Sequence, residues 1–414
     1  MKSWLSLLLI TVSLIPFCVW GQEPQHPPVL TLEECLVIAK EQNRTLRLSQ
    51  QAVQKAGGRI EEARGVGQPQ LNATSGARIF SEEKYLPLAV GIDGTGQLLF
   101  VNAPLSPDRT GFAGVGVSQV VDISGLIRTG VTTASLGKQV AQLNVQSTRN
   151  DLQFQVKAAY YEILRTEALV AVAQGAITNA QTRRKTAQAL VDAGINSKVD
   201  LFRADAAIAA AEQSLIAATN TVEVSKASLN NLLGRDVNTP FEAQSPNEVI
   251  VTVLPYDTYL QEALTHRPEI VAAHTNLQLT EQQKTLAQRG MKPSLVLNAS
   301  VEYDVAHHVS GDAVGLLGAA VVFPLADGGI TRGRITQAES DIVSAMVASD
   351  EVNARVSLDV KNAYVTLQNA GEKLTTASKE LEHATESLRL SRIRYEQGIA
   401  NQVEISDADK SQLI

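Results

Sequence analysis

Hydrophobic positions along the chain follow two periods. In two regions they alternate. Leu71, Ala73, Ser75, Ala77 and Ile79 share one side of an extended segment, with Asn72, Thr74, Gly76 and Arg78 on the other. Leu295, Leu297, Ala299, Val301 and Tyr303 likewise oppose Val296, Asn298, Ser300 and Glu302. Alternation over about ten residues predicts strands, either of a membrane barrel or of an ordinary soluble sheet. Residues 111–119 and 314–323, richer in glycine and less regular, are the expected partner strands.

Elsewhere the period is seven. Leu152, Ala159, Thr166, Ala173, Ala180 and Ala187 form one row, accompanied by Val156, Ile163, Val170, Ile177, Arg184 and Val191. A second pair of rows runs through Val356, Ala363, Ala370, Ala377, Ala384 and Ser391, and through Val360, Leu367, Leu374, Leu381, Leu388 and Tyr395. Leu201, Ile208, Leu215, Val222 and Leu229, with Ala204, Ala211, Ala218, Ser225 and Leu232, make a third seam. Sustained heptads predict helices packed as coiled coils, and the alanine rows let neighbours approach closely. A helix over 131–193 would be about 95 Å long. Such a length suits a tube crossing a periplasm, and equally a solid helical rod.

The chain is also duplicated. Leu36, Ala39, Leu46, Ala63, Pro69 and Leu71 recur as Leu260, Ala263, Ile270, Ala287, Pro293 and Leu295, at a constant spacing of 224 residues. Gly125, Arg128, Ala134, Val156, Lys157, Tyr160 and Gly194 recur at a spacing of 204 as Gly329, Arg332, Ala338, Val360, Lys361, Tyr364 and Gly398. The change of spacing places a 20-residue insertion in the first copy, within a segment 80–110 that reads as a long surface loop. Each copy orders its elements alike: a helical segment (31–66, 257–290), a proline break, two strands, a long helix, a turn and a second helix. The first repeat covers 22–234, a proline-bearing linker 235–256, and the second repeat 257–414. The counterpart of Gly234 would fall at position 438, so the last helix is expected to be about 24 residues short.

Composition narrows the class. Apolar residues make up 44% of the 414 but aromatics only 4%, which suits closely packed aliphatic helices. The net charge of −7 is spread along the chain without a basic stripe, so nucleic acid is not an expected partner. Residues 1–21 read as an export signal: Lys2, the apolar run Leu5–Phe17, and small residues at Val19 and Gly21. Phe17 ahead of Cys18 is too bulky for the usual lipoprotein signal. With the signal removed, Cys35 is the remaining cysteine, so no internal disulfide is expected. Nothing else approaches eighteen consecutive apolar residues, so entry into a membrane requires a closed β-barrel. Four strands cannot close one, since about eight is the practical minimum. Three chains would supply twelve.

Enzymatic chemistry finds no foothold. His307-His308 sits in a turn and the other histidines are scattered, without metal-ligand spacing. Gly111-Phe112-Ala113-Gly114-Val115-Gly116 lacks the Lys-Ser/Thr and the helix start of a phosphate loop. No nucleophile–base arrangement, cofactor motif or metal site is expected.

Three segments carry a family resemblance. They are Leu30-Thr31-Leu32-Glu33-Glu34-Cys35-Leu36 with Ala39 and Asn43; Gly194-Ile195-Asn196-Ser197-Lys198-Val199-Asp200-Leu201 with Ala204 and Leu229-Asn230-Asn231-Leu232-Leu233-Gly234; and Tyr395-Glu396-Gln397-Gly398-Ile399 with Val403, Glu404 and Ala408. Across essentially the whole mature chain the pattern resembles the TolC-like outer-membrane efflux proteins. The resemblance implies an α+β membrane protein whose long antiparallel helical hairpins build an α-barrel. Four transmembrane strands per protomer would close a twelve-stranded barrel as a homotrimer. It implies location in the outer membrane of a Gram-negative-type bacterium, extending into the periplasm, with outer-membrane lipid, a periplasmic adaptor and an inner-membrane transporter as partners. The implied function is the passive channel of a tripartite efflux pump or type I secretion system, with the cargo open.

By the same resemblance, the turns Gly194, Ile195, Asn196, Ser197 and Gly398, Ile399, Ala400, Asn401 are candidate adaptor-contact tips. Glu404 and Asp407, with Asp200 as first-copy counterpart, are candidate periplasmic gate residues. Arg203 stands where a second acid would lie in the first copy. Three copies would place six carboxylates in a ring. The competing expectation is a non-transporting periplasmic coiled-coil scaffold, which needs neither alternating strands nor duplication.

Overall fold

The structure, a computed structural model, describes residues 27–79, 81–82, 84–106, 109–194, 197–246, 253–306 and 309–396. The export signal lies outside them. In chain order the elements are β1 (Val29–Leu30), α1 (Leu32–Gln42), α2 (Arg44–Gly65), β2 (Gln70–Ile79), β3 (Lys84–Ile92), β4 (Leu98–Ser106), β5 (Arg109–Val121), α3 (Leu126–Asp192), α4 (Lys198–Leu233), β6 (Glu242–Ala243), α5 (Tyr256–His266), α6 (Pro268–Arg289), β7 (Ser294–Ala306), β8 (Val309–Val322) and α7 (Ile330–Glu396).

The duplication is visible element by element. Helices α1 and α5 each have 11 residues, α2 and α6 each 22, and α3 and α7 each 67. Each helical segment (31–66, 257–290) consists of two helices. In the first copy buried Asn43 breaks the helix, its side chain accepting from Leu46 N–H at 2.9 Å as an N-cap. The corresponding break in the second copy uses Arg267 and a proline, Pro268, at the first position of α6. Different chemistry makes the same corner. At the start of α1, Thr31 and Glu34 form a reciprocal capping box, Thr31 N–H donating to Glu34 Oε2 at 2.8 Å and Glu34 N–H to Thr31 Oγ1 at 3.2 Å. Those bonds hold the Glu34 carboxyl below its usual range.

The chain forms two compact units. One holds residues up to Ile38 and 156–248. Here the heptad rows of α3 meet those of α4: Val156, Ile163, Thr166, Ala173, Ile177, Ala180 and Ala187 are buried, as are Val222, Leu229 and Leu233. Lys226 pairs with Glu167 at 3.0 Å and Arg184 with Asp205 at 2.6 Å between the two helices. Solvated pairs of this kind add register more than stability. A parallel pairing of β1 with β6 straps this unit. Fully buried Tyr160 places its hydroxyl 2.9 Å from Leu30 O and 2.6 Å from Gln244 O, fastening both ends of the strap to α3. Asn230 donates to Val237 O and Thr239 O and accepts from Arg235 Nε at 2.6 Å, holding the turn after α4. Arg235 in turn lies over the Phe241 ring at 4.9 Å. Burial pushes the Cys35 thiol up to about 11, so it stays a neutral packing group.

The other unit holds residues 39–155 and 249–414. Its four-stranded antiparallel sheet runs in the order β2-β5-β7-β8. Pairing of Gln70 with Ser118 and of Ser294 with Val322 puts every connection to a helix at one end of the sheet. Both strand-to-strand hairpins leave at the other end. Helices α5, α6 and α7 pack through Ala263, Ile270, Val356 and Val360, with Tyr256, Tyr259 and Leu260 around them. Along the middle of α7 the heptad row is bare, Leu374 being 71% and Leu381 56% exposed, whereas Leu388 is buried. The positions that would correspond to α4 in this repeat begin at 402, outside the described residues.

One reading is corrected. Segment 80–110 is no irregular loop, because β3 and β4 form a second, separate sheet within it. Prolines 87 and 104 suggested breaks, but both sit on strands of a two-stranded ribbon, where an unpaired edge tolerates a missing N–H. Within the linker 235–256, likewise, β6 had no hydrophobic pattern to announce it.

The strap yields a first prediction. Tyr160→Phe removes the hydroxyl that Leu30 O and Gln244 O share and costs about 0.5–1.5 kcal/mol, Leu30 O keeping its bond from Gln244 N–H. The denaturant midpoint of helical circular dichroism falls accordingly; an unchanged midpoint would show that the strap is held otherwise.

Candidate functional site

Register across the sheet decides what each face can touch. Leu71 lies opposite Val117, Val117 opposite Ala299, and Ala299 opposite Leu317. One row higher run Ala73, Val115, Val301 and Gly315; one row lower on the three last strands run Gln119, Leu297 and Ala319. With Ser75, Ile79, Ala113, Tyr303, Ala313 and Val321 these rows make one face that is apolar apart from Ser75 and Gln119. It is open, Leu317 being 87% and Ile79 79% exposed. Nine residues from Leu71 to Ile79, or from Leu295 to Tyr303, match the length of a transmembrane β-strand.

The opposite face runs through Asn72, Gly116, Ser300 and Leu316, and through Thr74, Gly114, Glu302 and Val314. Arg78, Ser118, Asn298 and Asp304 also belong to it. Every charge among these described strand side chains is therefore on this face. Arg78 lies over the Phe112 ring at 4.3 Å, within the polar row rather than splayed to the apolar side. On β8 the polar character fades, with Val314, Leu316 and Val322 on the same side as the charges. Strands β2 and β8 are the sheet edges, each with one unpaired row of backbone groups.

The first helical turn is built from cap chemistry. Helix α3 runs out through Ala193 to Gly194, whose φ of +72° is the left-handed conformation that glycine adopts freely. Ser197 opens α4, its hydroxyl accepting from Val199 N–H at 3.2 Å. Asp200 follows in the first turn, where a carboxylate is favoured by the helix dipole, and Arg203 approaches it at 3.5 Å. Gly194, Ser197 and Asp200 are thus brought together at one turn, whereas Ile195, Asn196, Gly398, Ile399, Ala400, Asn401, Glu404 and Asp407 lie outside the described residues. So does the His307-His308 pair. Among the described residues no cluster of His, Cys, Asp and Glu could hold a metal ion, and no helix is long and apolar enough to cross a membrane.

The strand faces were legible residue by residue for β2 and β7, but β5 and β8 were not. Their glycines blur the alternation, and only the pairing register reveals that four partial patterns make one continuous apolar surface. The Tyr160 strap has no sequence signature, since β1 and β6 are two residues long.

The family model described as outer membrane efflux protein matches residues 36–235 and 259–413, one span in each repeat. The chain is 22% identical over 407 residues to the cobalt-zinc-cadmium resistance protein CzcC of Cupriavidus metallidurans, covering 96% of this chain and 87% of that protein. Its fold is similar to that of the outer membrane protein VceC of Vibrio cholerae, at a TM-score of 0.73 and 19% identity over 92% of this chain and 90% of that one. The Campylobacter jejuni CmeC outer membrane channel has a TM-score of 0.76 and 14% identity, over 92% and 80% of the two chains.

The two faces predict opposite tolerance. Leu317→Lys places a charge on the apolar face and costs about 2–4 kcal/mol if that face meets hydrocarbon, whereas Asn298→Lys meets water. Folded protein recovered from outer membranes falls sharply for the first and little for the second. Equal recovery would remove the assignment of faces.

Proposed function

The chain belongs to the outer membrane efflux protein family, and from that premise we propose that it is the passive, homotrimeric outer-membrane duct of a tripartite efflux pump. The observation that carries this reading is the four-strand register, which makes one face almost continuously apolar from Leu71 to Leu317 and puts Arg78, Glu302 and Asp304 on the other. The apolar face meets lipid and the polar face lines water. Open edges on β2 and β8 are paired between copies, so that three chains close twelve strands. Helices α3 and α7, each of 67 residues, reach about 100 Å and extend into the periplasm toward an adaptor and an inner-membrane transporter. The transporter supplies the energy; the duct supplies a sealed aqueous path.

For cargo, divalent transition-metal cations are the favoured class. The likeness to a cobalt-zinc-cadmium resistance protein supports this. Among the described side chains of the lumenal sheet face acids outnumber bases, Glu302 and Asp304 against Arg78. A deletion strain should become sensitive to cobalt, zinc and cadmium and lose that sensitivity on complementation. Sensitivity to apolar drugs alone would reassign the cargo while leaving the duct intact, and no export phenotype with any cargo would favour the scaffold.

The gate lies at the periplasmic end. Glu404 and Asp407 stand three apart, so on a helix they share a face, and three copies form a ring of six carboxylates. Crowded like charges attract cations. The turns 194–197 and 398–401 contact the adaptor, and Asp200 lies beside the first of them. In single-channel recordings the Glu404→Ala/Asp407→Ala variant loses cation selectivity and conducts more; identical traces would eliminate the gate.

A further inference from the structure

The β3–β4 hairpin is unlike any other part of the sheet region. It continues the β2–β5 hairpin beyond the barrel strands, at the end opposite the helices, as a separate two-stranded sheet. Its tip is well formed: Asp93 Oδ1 accepts from Thr95 N–H, the Thr95 hydroxyl and Gln97 N–H, at 2.9, 2.6 and 2.9 Å. Yet neither face is polar. Leu88 pairs with Val101 on one side, and Phe100, Ile92 and Leu98 share the other. All of these are open, Ile92 at 67% and Phe100 at 58% exposure. A lone two-stranded ribbon is marginal in water, and one with two greasy faces needs cover.

We propose that the cover is the same hairpin from the two other copies, so that three β3–β4 hairpins pack together over the external mouth of the duct. This rests on the homotrimeric reading above. Barrel geometry brings them within reach. Twelve strands about 4.8 Å apart and tilted by about 40° give a radius of about 12 Å. A nine-residue strand extends about 30 Å, so hairpins leaning inward meet at the axis with length to spare. Outer-leaflet lipid fits the hairpin less well, because its basic residue, Lys84, stands at the barrel end of β3 and none follows from Tyr85 to Ser106 to meet anionic headgroups. The result is an apolar collar, a constriction that excludes water until cargo or pump action parts it.

The test introduces Leu88→Cys and Phe100→Cys separately, one on each face, in the intact trimer in outer membranes. Oxidation is expected to link protomers through at least one position. The same position resists a membrane-impermeant maleimide before oxidation. Val101→Cys carries the same readout as Leu88→Cys should that variant not assemble. Free labelling at both faces without cross-links would overturn the proposal, the hairpins then standing apart in water. Labelling only by a lipid-soluble maleimide, again without cross-links, would overturn it in favour of lipid. Failure of the unsubstituted protein to form trimers in the outer membrane would instead strike the duct reading itself.

Discussion

Backbone hydrogen bonding sets the terms for this molecule. Hydrocarbon offers no partner to an N–H or C=O group, so a sheet within it cannot keep an open edge. Each chain has four barrel strands in the order β2-β5-β7-β8, with two edges left over. The side chains on one face are suited to lipid and those on the other to water, but neither face relieves the edges. Only strands from other copies do so. Trimerisation is therefore a condition of the membrane fold rather than an addition to it, and the duct exists only as the assembly.

The helical part answers a different requirement. A wall of helices around a wide bore must be thin, which favours alanine and small residues at helix contacts over large aromatics. Where α3 meets α4, the buried row is Ala173, Ala180 and Ala187 beside Val156, Ile163 and Ile177. Larger side chains gather where the unit is strapped: Tyr160, Leu229, Leu233 and Phe241 are buried around the β1–β6 pairing. Other aromatic side chains, Phe154, Phe202 and Phe323 among them, are exposed.

Much of this was legible in the sequence because repeats report twice. Seven-residue spacing located α3, α4 and α7, and the doubled proline and glycine positions fixed the order of elements in both copies. Alternation located β2 and β7. What could not be read has physical causes. The α1–α2 corner depends on one buried asparagine cap, indistinguishable in sequence from a polar surface position. The β3–β4 ribbon lacks alternation since both its faces are apolar, and its prolines signal a loop. Strap strands of two residues carry no period at all. At the helical turn, Gly194 and Ser197 were legible as helix ends because glycine and serine mark such ends chemically.

The claim that strands must be shared among copies is tested most directly by the mass of the lipid-embedded assembly. Native mass spectrometry of protein released from outer membranes in mild detergent should give three chains and no stable lipid-bound monomer. A membrane-inserted species of one or two chains, or a water-soluble product of any size, would contradict the account.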